Sequence, residues 1–212
     1  MRVLMIAPPG AGKGTQGVVI AEHLGVPHIA TGDLLRDHVA RRTELGRSVQ
    51  DFLDRGELVP DDVVLEMVRA AMEKATQGWV LDGVPRTMDQ AKALYGIAVE
   101  LDQTADVALH LQVSDGELLR RLLARAQEQG RSDDTEQVIR RRLALYDEVT
   151  HPILDWYDER GILVSVDAER TAEAVGRHIL TALEVVRQMI SGNPDGPRRA
   201  IDLTGLGKAF GA

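Results

Sequence analysis

No cysteine occurs among the 212 residues. That excludes disulfides and thiolate metal sites, and it fits a reducing compartment. Aromatic residues make up only 3% of the chain, so rows of stacking rings for single-stranded nucleic acid are not expected. Basic residues are outnumbered. The formal net charge of −8 argues against a general partner of nucleic acid or of anionic membrane and leaves any polyanion to local arginines. Long apolar runs are missing too. Val3 to Ile6 behind Met1-Arg2 is too short for the apolar stretch of a secretory signal, and no segment reaches the roughly 20 residues that a membrane helix needs. These absences predict a cytoplasmic enzyme with no nucleic-acid or membrane partner. Its 44% hydrophobic residues, mainly Leu, Val, Ile and Ala, suffice for the core of one domain.

What is present begins at once. Residues Ala7 to Thr15 read Ala-Pro-Pro-Gly-Ala-Gly-Lys-Gly-Thr and follow the strand-like run Val3 to Ile6. Gly10, Gly12 and Gly14 allow a sharp turn and close approach to an anion, so backbone N–H groups can converge on phosphate while Lys13 adds a point charge. Against the general G-x-x-x-x-G-K-[ST] pattern there are two departures. Ala7 stands at the first glycine, which is tolerable only at negative φ. Gly14 takes the usual hydroxyl position, with Thr15 one residue later. Val18-Val19-Ile20-Ala21 and Leu24 then read as a packed helix with its N-terminus on the phosphates.

Further strand-like runs are Trp79-Val80-Leu81, Val107 to Leu111 and Ile162 to Val166, with His28-Ile29-Ala30 a weaker one. Helix-length segments separate them, which predicts an α/β fold with a parallel sheet covered on both faces. Thr31 to Val59, polar and helical in pattern, and the stretch from Ala126 to Asp134 interrupt the alternation as inserts that could move. After a helical pattern over Thr171 to Ile190, the breakers Ser191 to Pro197 introduce a tail that runs to Ala212.

Asp82 closes the strand at Trp79, where open parallel sheets bind ligands, and it can hold Mg²⁺ through water. Arg86 directly follows Pro85, and a guanidinium so restricted can clamp a phosphate. With Pro9 to Thr15, Thr31-Gly32-Asp33-Leu34-Leu35-Arg36, Leu81 to Thr87 with Gln90, and Arg131-Ser132-Asp133-Asp134 leading into Arg140-Arg141-Arg142-Leu143, the chain resembles the adenylate kinase family of nucleoside monophosphate kinases, from Met1 to about Ile190.

The resemblance implies a P-loop-type parallel-sheet core over 1–190, with a monophosphate-binding insert at about 30–59, a short lid at about 126–134 and a tail over 191–212. It implies that Gly10, Ala11, Gly12, Lys13, Gly14 and Thr15 hold the ATP phosphates, with Arg125 and Arg170 also on that nucleotide. Thr31, Arg36, Gly83, Val84, Pro85, Arg86 and Gln90 would hold AMP, with backbone help from Glu57, Leu58 and Val59. Lys13, Arg86, Arg121, Arg125, Arg131 and Arg142 would be the catalytic cations, with Arg131 and Arg142 touching substrate as well. The reaction so implied is reversible transfer from Mg-ATP to AMP. The short lid implies no zinc and a monomer.

Periodicity adds an independent argument. Val138, Ile139, Leu145, Tyr146 and Val149 form an apolar stripe in which Arg142 sits, and an arginine there calls for an anion. Arg140 and Arg141 fall nearer the polar side and read as solvated charges. Arg121 and Arg125 are a like-charge i, i+4 pair that a phosphate would relieve; Arg120 stays ambiguous. The Gln90 carboxamide suits the amino group and ring nitrogen of adenine, although a solvent-facing glutamine has the same appearance. Asp133 and Asp134 suit helix capping. His28, His110, His151 and His178 lack metal-ligand spacing. Two alternatives stay open: a kinase of another nucleoside monophosphate, favoured if Val84 reshapes the pocket, and a low-turnover nucleotide-binding regulator, motivated by Ala7 and the tail. A GTPase is disfavoured because no Asn-Lys-x-Asp motif occurs.

Overall fold

A computed structural model of the protein describes residues 1–129 and 135–192. The chain starts with β1 (Arg2–Ile6), α1 (Lys13–Leu24) and β2 (His28–Ala30). The helices α2 (Thr31–Ala40), α3 (Glu44–Arg55) and α4 (Asp61–Lys74) follow, and then β3 (Trp79–Asp82) and α5 (Met88–Glu100). Next come β4 (Val107–Gln112), α6 (Asp115–Gln129) and α7 (Glu136–Leu145), which runs into one π-helical turn at Tyr146–Thr150. The last described elements are α8 (Ile153–Asp158), β5 (Leu163–Asp167) and α9 (Ala172–Gly192).

All strand pairs are parallel, in the order β2-β3-β1-β4-β5. Period-2 alternation divides each strand between two cores. Val3 and Met5 join α1, α6 and α9 residues such as Ile20, Leu118 and Ile179 on one face. Leu4 and Ile6 join Val68, Met72, Leu94 and Ile153 of α4, α5 and α8 on the other. The short apolar runs therefore mark strands buried on both faces, as expected of a sheet with helices on either side. Ile20 and Ala21 are buried, whereas Val18 and Val19 of the same run are exposed: four consecutive residues cannot all share one side of a helix.

The strand β1 lies between β3 and β4, so the connections leave it in opposite directions and open a crevice at the strands' carboxyl ends. Glycines shape the loop there. Gly10 and Gly12 have φ of +86° and +94°, and a Cβ on Gly10 would stand 2.8 Å from Leu122 Cγ. Ala7 is not among the positive-φ residues, so its methyl group costs the loop nothing. The helices of the insert are stopped by local chemistry: the Thr43 side chain caps α3 by accepting from the Gly46 N–H, and Gly56, at φ +67°, ends it. Most of the expected lid, with Arg131, Asp133 and Asp134, and nearly all of the expected tail lie outside the described residues.

Candidate active site

One cavity of about 800 Å³ occupies the crevice and is lined by the loop, the insert, α6, α7 and the segment around Arg170. Its charge is opposite to that of the chain. Among the described residues, eight cations (Lys13, Arg36, Arg86, Arg120, Arg121, Arg125, Arg142 and Arg170) line it against three carboxylates, Asp33, Glu57 and Asp82. A local excess of five positive charges in a protein of net charge −8 focuses polyanions into this one place.

At its floor, α1 starts with no side-chain cap and no acidic residue in its first turn. The N–H groups of Lys13, Gly14 and Thr15 thus form an anion site, strengthened by the positive end of the helix dipole. Lys13 Nζ donates to the carbonyls of Ala7 at 2.6 Å and Pro8 at 3.1 Å. Burial pushes its pKa down to about 8, with Asp82 opposing and the cations Arg86 and Arg125 adding to the fall.

Asp82 ends β3, with Oδ2 4.0 Å from His28 Nε2. The His28 ring rests on Gly17, where any Cβ would collide with it, and its Nε2 has no hydrogen-bond partner. Sequence reasoning gave His28 no role; it lines the cavity beside the carboxylate. His110, also without an assigned role, is buried under the floor between Ser165 Oγ and the Tyr146 hydroxyl. Burial, reinforced by His151 and Lys13, pushes its pKa down to about 4, so it is neutral near pH 7. Among the described residues no cluster of three or more His, Asp or Glu could hold a metal ion by itself, and no helix is long and apolar enough to cross a membrane.

The opposite wall is built by the insert and the turn after β3. Thr31 is buried and donates to the Asp82 carbonyl at 3.2 Å. Gly83, at φ +88°, leaves room for the Thr31 hydroxyl, and its carbonyl accepts from Arg86 Nε at 2.7 Å. The Val84–Pro85 peptide is cis. Thr150 Oγ1 donates to the Arg86 carbonyl at 2.8 Å, so the arginine is held from both sides. Desolvation lowers the Arg86 pKa; Asp82 works against this, and Arg142 and Arg36 work with it. Arg36 is paired with Asp33. Leu58, Val59, Gly83 and Pro85 line the cavity as expected, but Val84 does not. Its side chain is 1% exposed within the second core, because the residue opposite the lining side of this turn faces the sheet.

One reading of the α6 and α7 arginines needs correcting. Arg121 is not in unrelieved repulsion with Arg125, since Glu117 lies 2.7 Å from its Nε. Hydrogen bonds from Arg120 and Arg121 hold the Glu117 carboxyl down at about 2. The i, i+3 and i, i+4 spacing from Glu117 was the available signal. Arg141 is exposed, as a charge on the polar side of the helix should be, and it reaches across 84 residues to Glu57 at 2.8 Å, whereas Arg140 pairs locally with Glu136. Arg142, on the buried stripe with Ile139 and Tyr146, donates to the Leu53 carbonyl at 3.4 Å. Arg170 pairs with Asp167 at 3.3 Å on the cavity rim.

Gln90, for which a solvent-facing position was the rival reading, is 2% exposed and lines the cavity. The structure thus brings together every site residue anticipated from the sequence except Val84, which faces away, and Arg131, which is outside the described residues.

A family model described as adenylate kinase matches residues 5–162. Among curated relatives, an adenylate kinase of Kocuria rhizophila is 50% identical over 185 residues, covering 86% of this chain and 98% of that protein. One from Nocardia farcinica is 48% identical, covering 86% and 99%. One from Thermus thermophilus is 44% identical over 183 residues, covering 86% and 97%.

Proposed function

The chain belongs to the adenylate kinase family, and we infer that it catalyses reversible transfer of the terminal phosphoryl group of ATP to AMP, giving two ADP. The observation that carries this reading is the eight-cation cavity joining a phosphate loop to a second wall at Thr31 and Gln90. The backbone of Gly10 to Thr15 with Lys13 holds the ATP phosphates, and Ala168, Arg170 and Ala172 flank its base. Arg36 and Arg86 hold the AMP phosphate. The Glu57 to Val59 backbone, Thr31 and Gln90 hold its nucleoside. Phosphoryl transfer needs little covalent help from the protein, so the residues act by alignment and by stabilising charge on the equatorial oxygens. Lys13, Arg86, Arg121, Arg125 and Arg142 do this, and we add Arg131 from the lid.

Mg²⁺ fits the donor chemistry. Asp82 is a hard oxygen ligand beside the phosphate loop, its Oδ2 4.0 Å from His28 Nε2, and it would hold the ion through water. When bound, the ion would neutralise phosphate charge. We assign 1–190 to the kinase domain, with the insert at about 30–59, the short lid at about 126–134 and a tail over 191–212. We propose a cytoplasmic monomer.

The direct test supplies Mg²⁺-ATP with AMP, CMP, UMP or GMP in turn and follows products by chromatography. Only AMP is expected to yield diphosphate efficiently. Faster turnover of another acceptor would refute the substrate assignment.

A pH dependence follows from Lys13. Its folded-state pKa of about 8 is below the ordinary 10.5, so between these values the unfolded chain binds the extra proton and this residue's contribution to apo stability rises with pH. Catalysis needs the ammonium, so kcat/KM for ATP is expected to fall above about pH 8 with a one-proton limb. The limb in kcat should lie higher, because bound phosphate favours the charged form. Coincident limbs in the two profiles would contradict this.

A further inference from the structure

Gln90 is proposed above to read the AMP base, and what holds Gln90 itself is a group that does not line the cavity. Its Nε2 donates to Asp61 Oδ1 at 2.6 Å, and its Oε1 accepts from the Arg86 N–H at 2.8 Å. Asp61 is tied in turn to Thr87, whose hydroxyl donates to Oδ2 at 3.4 Å and accepts from the Gln90 N–H at 3.0 Å, capping α5. Asp61 stands in the first turn of α4 and is not among the residues that line the cavity, whereas Gln90 is.

The chemistry of the two partners fixes the carboxamide's orientation. A carboxylate only accepts and a backbone N–H only donates, so the amino end must face Asp61 and the carbonyl end Arg86. Each end keeps one further capacity, a second N–H and a second lone pair, in a fixed order on a side chain that lines the cavity. Adenine offers an amino donor next to a ring-nitrogen acceptor and matches that order. Hypoxanthine has a carbonyl oxygen in place of the amino group, so it would set acceptor against acceptor at Oε1. Turning the amide over would cure this, but it would set the Gln90 carbonyl against the Asp61 carboxylate and donor against donor at Arg86.

We infer that Asp61 is a positioning residue which fixes the Gln90 carboxamide and thereby makes the acceptor site prefer adenine over hypoxanthine. The inference rests on Gln90 reading the base. A charge-assisted hydrogen bond is among the stronger ones, and its loss is worth about a factor of ten.

The test measures kcat/KM for AMP and for IMP, with ATP as donor, in the unaltered enzyme and in Asp61→Ala, Asp61→Asn and Gln90→Ala. Asp61→Ala is expected to lower the AMP-to-IMP ratio about tenfold, chiefly through KM for AMP, with KM for ATP unchanged. Asp61→Asn should restore most of the ratio, because its carbonyl can accept the same N–H. A merely structural role would change thermal stability and the parameters of both nucleotides together and leave the ratio alone. If Gln90→Ala collapses the ratio and Asp61→Ala does not, the role of Asp61 is overturned and the reading of Gln90 stands. If neither changes it, the reading of Gln90 falls and the inference falls with it.

Discussion

Replacing Lys13 by methionine is expected to lower kcat by about 10²- to 10³-fold, the range found when one preorganised donor to developing charge is removed. The three N–H groups of the ammonium explain how the residue can serve structure and chemistry at once. Two are directed at the Ala7 and Pro8 carbonyls, which leaves a third for a phosphate oxygen without any bond in the loop being broken. Methionine keeps the length of the chain but none of the donors. It takes a donor from the Ala7 carbonyl and one from the Pro8 carbonyl, which keeps the Ala11 N–H, and it also removes a charge whose burial is costly enough to pull the pKa down to about 8. These effects oppose each other, so the thermal unfolding midpoint should move little while kcat and kcat/KM fall together, as expected of an interaction made mainly in the transition state. Steady-state kinetics beside a melting curve separate the cases; near-normal turnover would remove Lys13 from the chemistry.

How much of this site could be read from the sequence depended on the range of each interaction. The loop, strand β3 and the Pro85-Arg86 turn are set by adjacent residues, and they stand where the pattern placed them. Arg142 was legible because a charge inside an apolar stripe breaks a helical period, and period is a local property. The pairs that hold the site in shape are different in kind. Gln90 reaches Asp61 over 29 residues and Arg141 reaches Glu57 over 84; spacing says which side of a helix a residue takes, not which distant loop will meet it. Val84, whose side chain packs in the second core instead of lining the cavity, shows the same limit. In a turn without helical or strand period, neither the residue types nor the motif say which side chains face the sheet. Ala7, by contrast, looked like a defect and is none, because the loop's positive φ values fall at Gly10 and Gly12 instead. That removes one of the two grounds for reading the chain as a low-turnover regulator.

Arg86 and Arg142 carry the other large effect. They lie close enough for Arg142 to help lower the Arg86 pKa, together with desolvation and Arg36 and against Asp82. Two guanidinium groups facing one cavity repel when it holds no anion, and a phosphate between them turns that repulsion into two charge-assisted contacts. Arg86→Met and Arg142→Met are therefore each expected to reduce kcat/KM for AMP by about 10²- to 10³-fold, since a lost contact to a charged partner is joined by poorer alignment of the acceptor. Arg86→Lys keeps the charge without the fork and should fall between Met and the unaltered enzyme. If both arginines grip the same phosphate, the double methionine variant will lose less than the product of the single losses, because the second removal acts on a phosphate already misplaced. Independent, multiplicative losses would instead put the two side chains on different phosphates. Melting of the nucleotide-free protein supplies the complementary sign. Relief of the repulsion offsets what each variant gives up, such as the bond to the Gly83 carbonyl at Arg86 and the one to the Leu53 carbonyl at Arg142, so the midpoint should move little. A variant that melts much earlier would mean that these arginines hold the fold together rather than wait for an anion, and its loss of activity would then say nothing about phosphate.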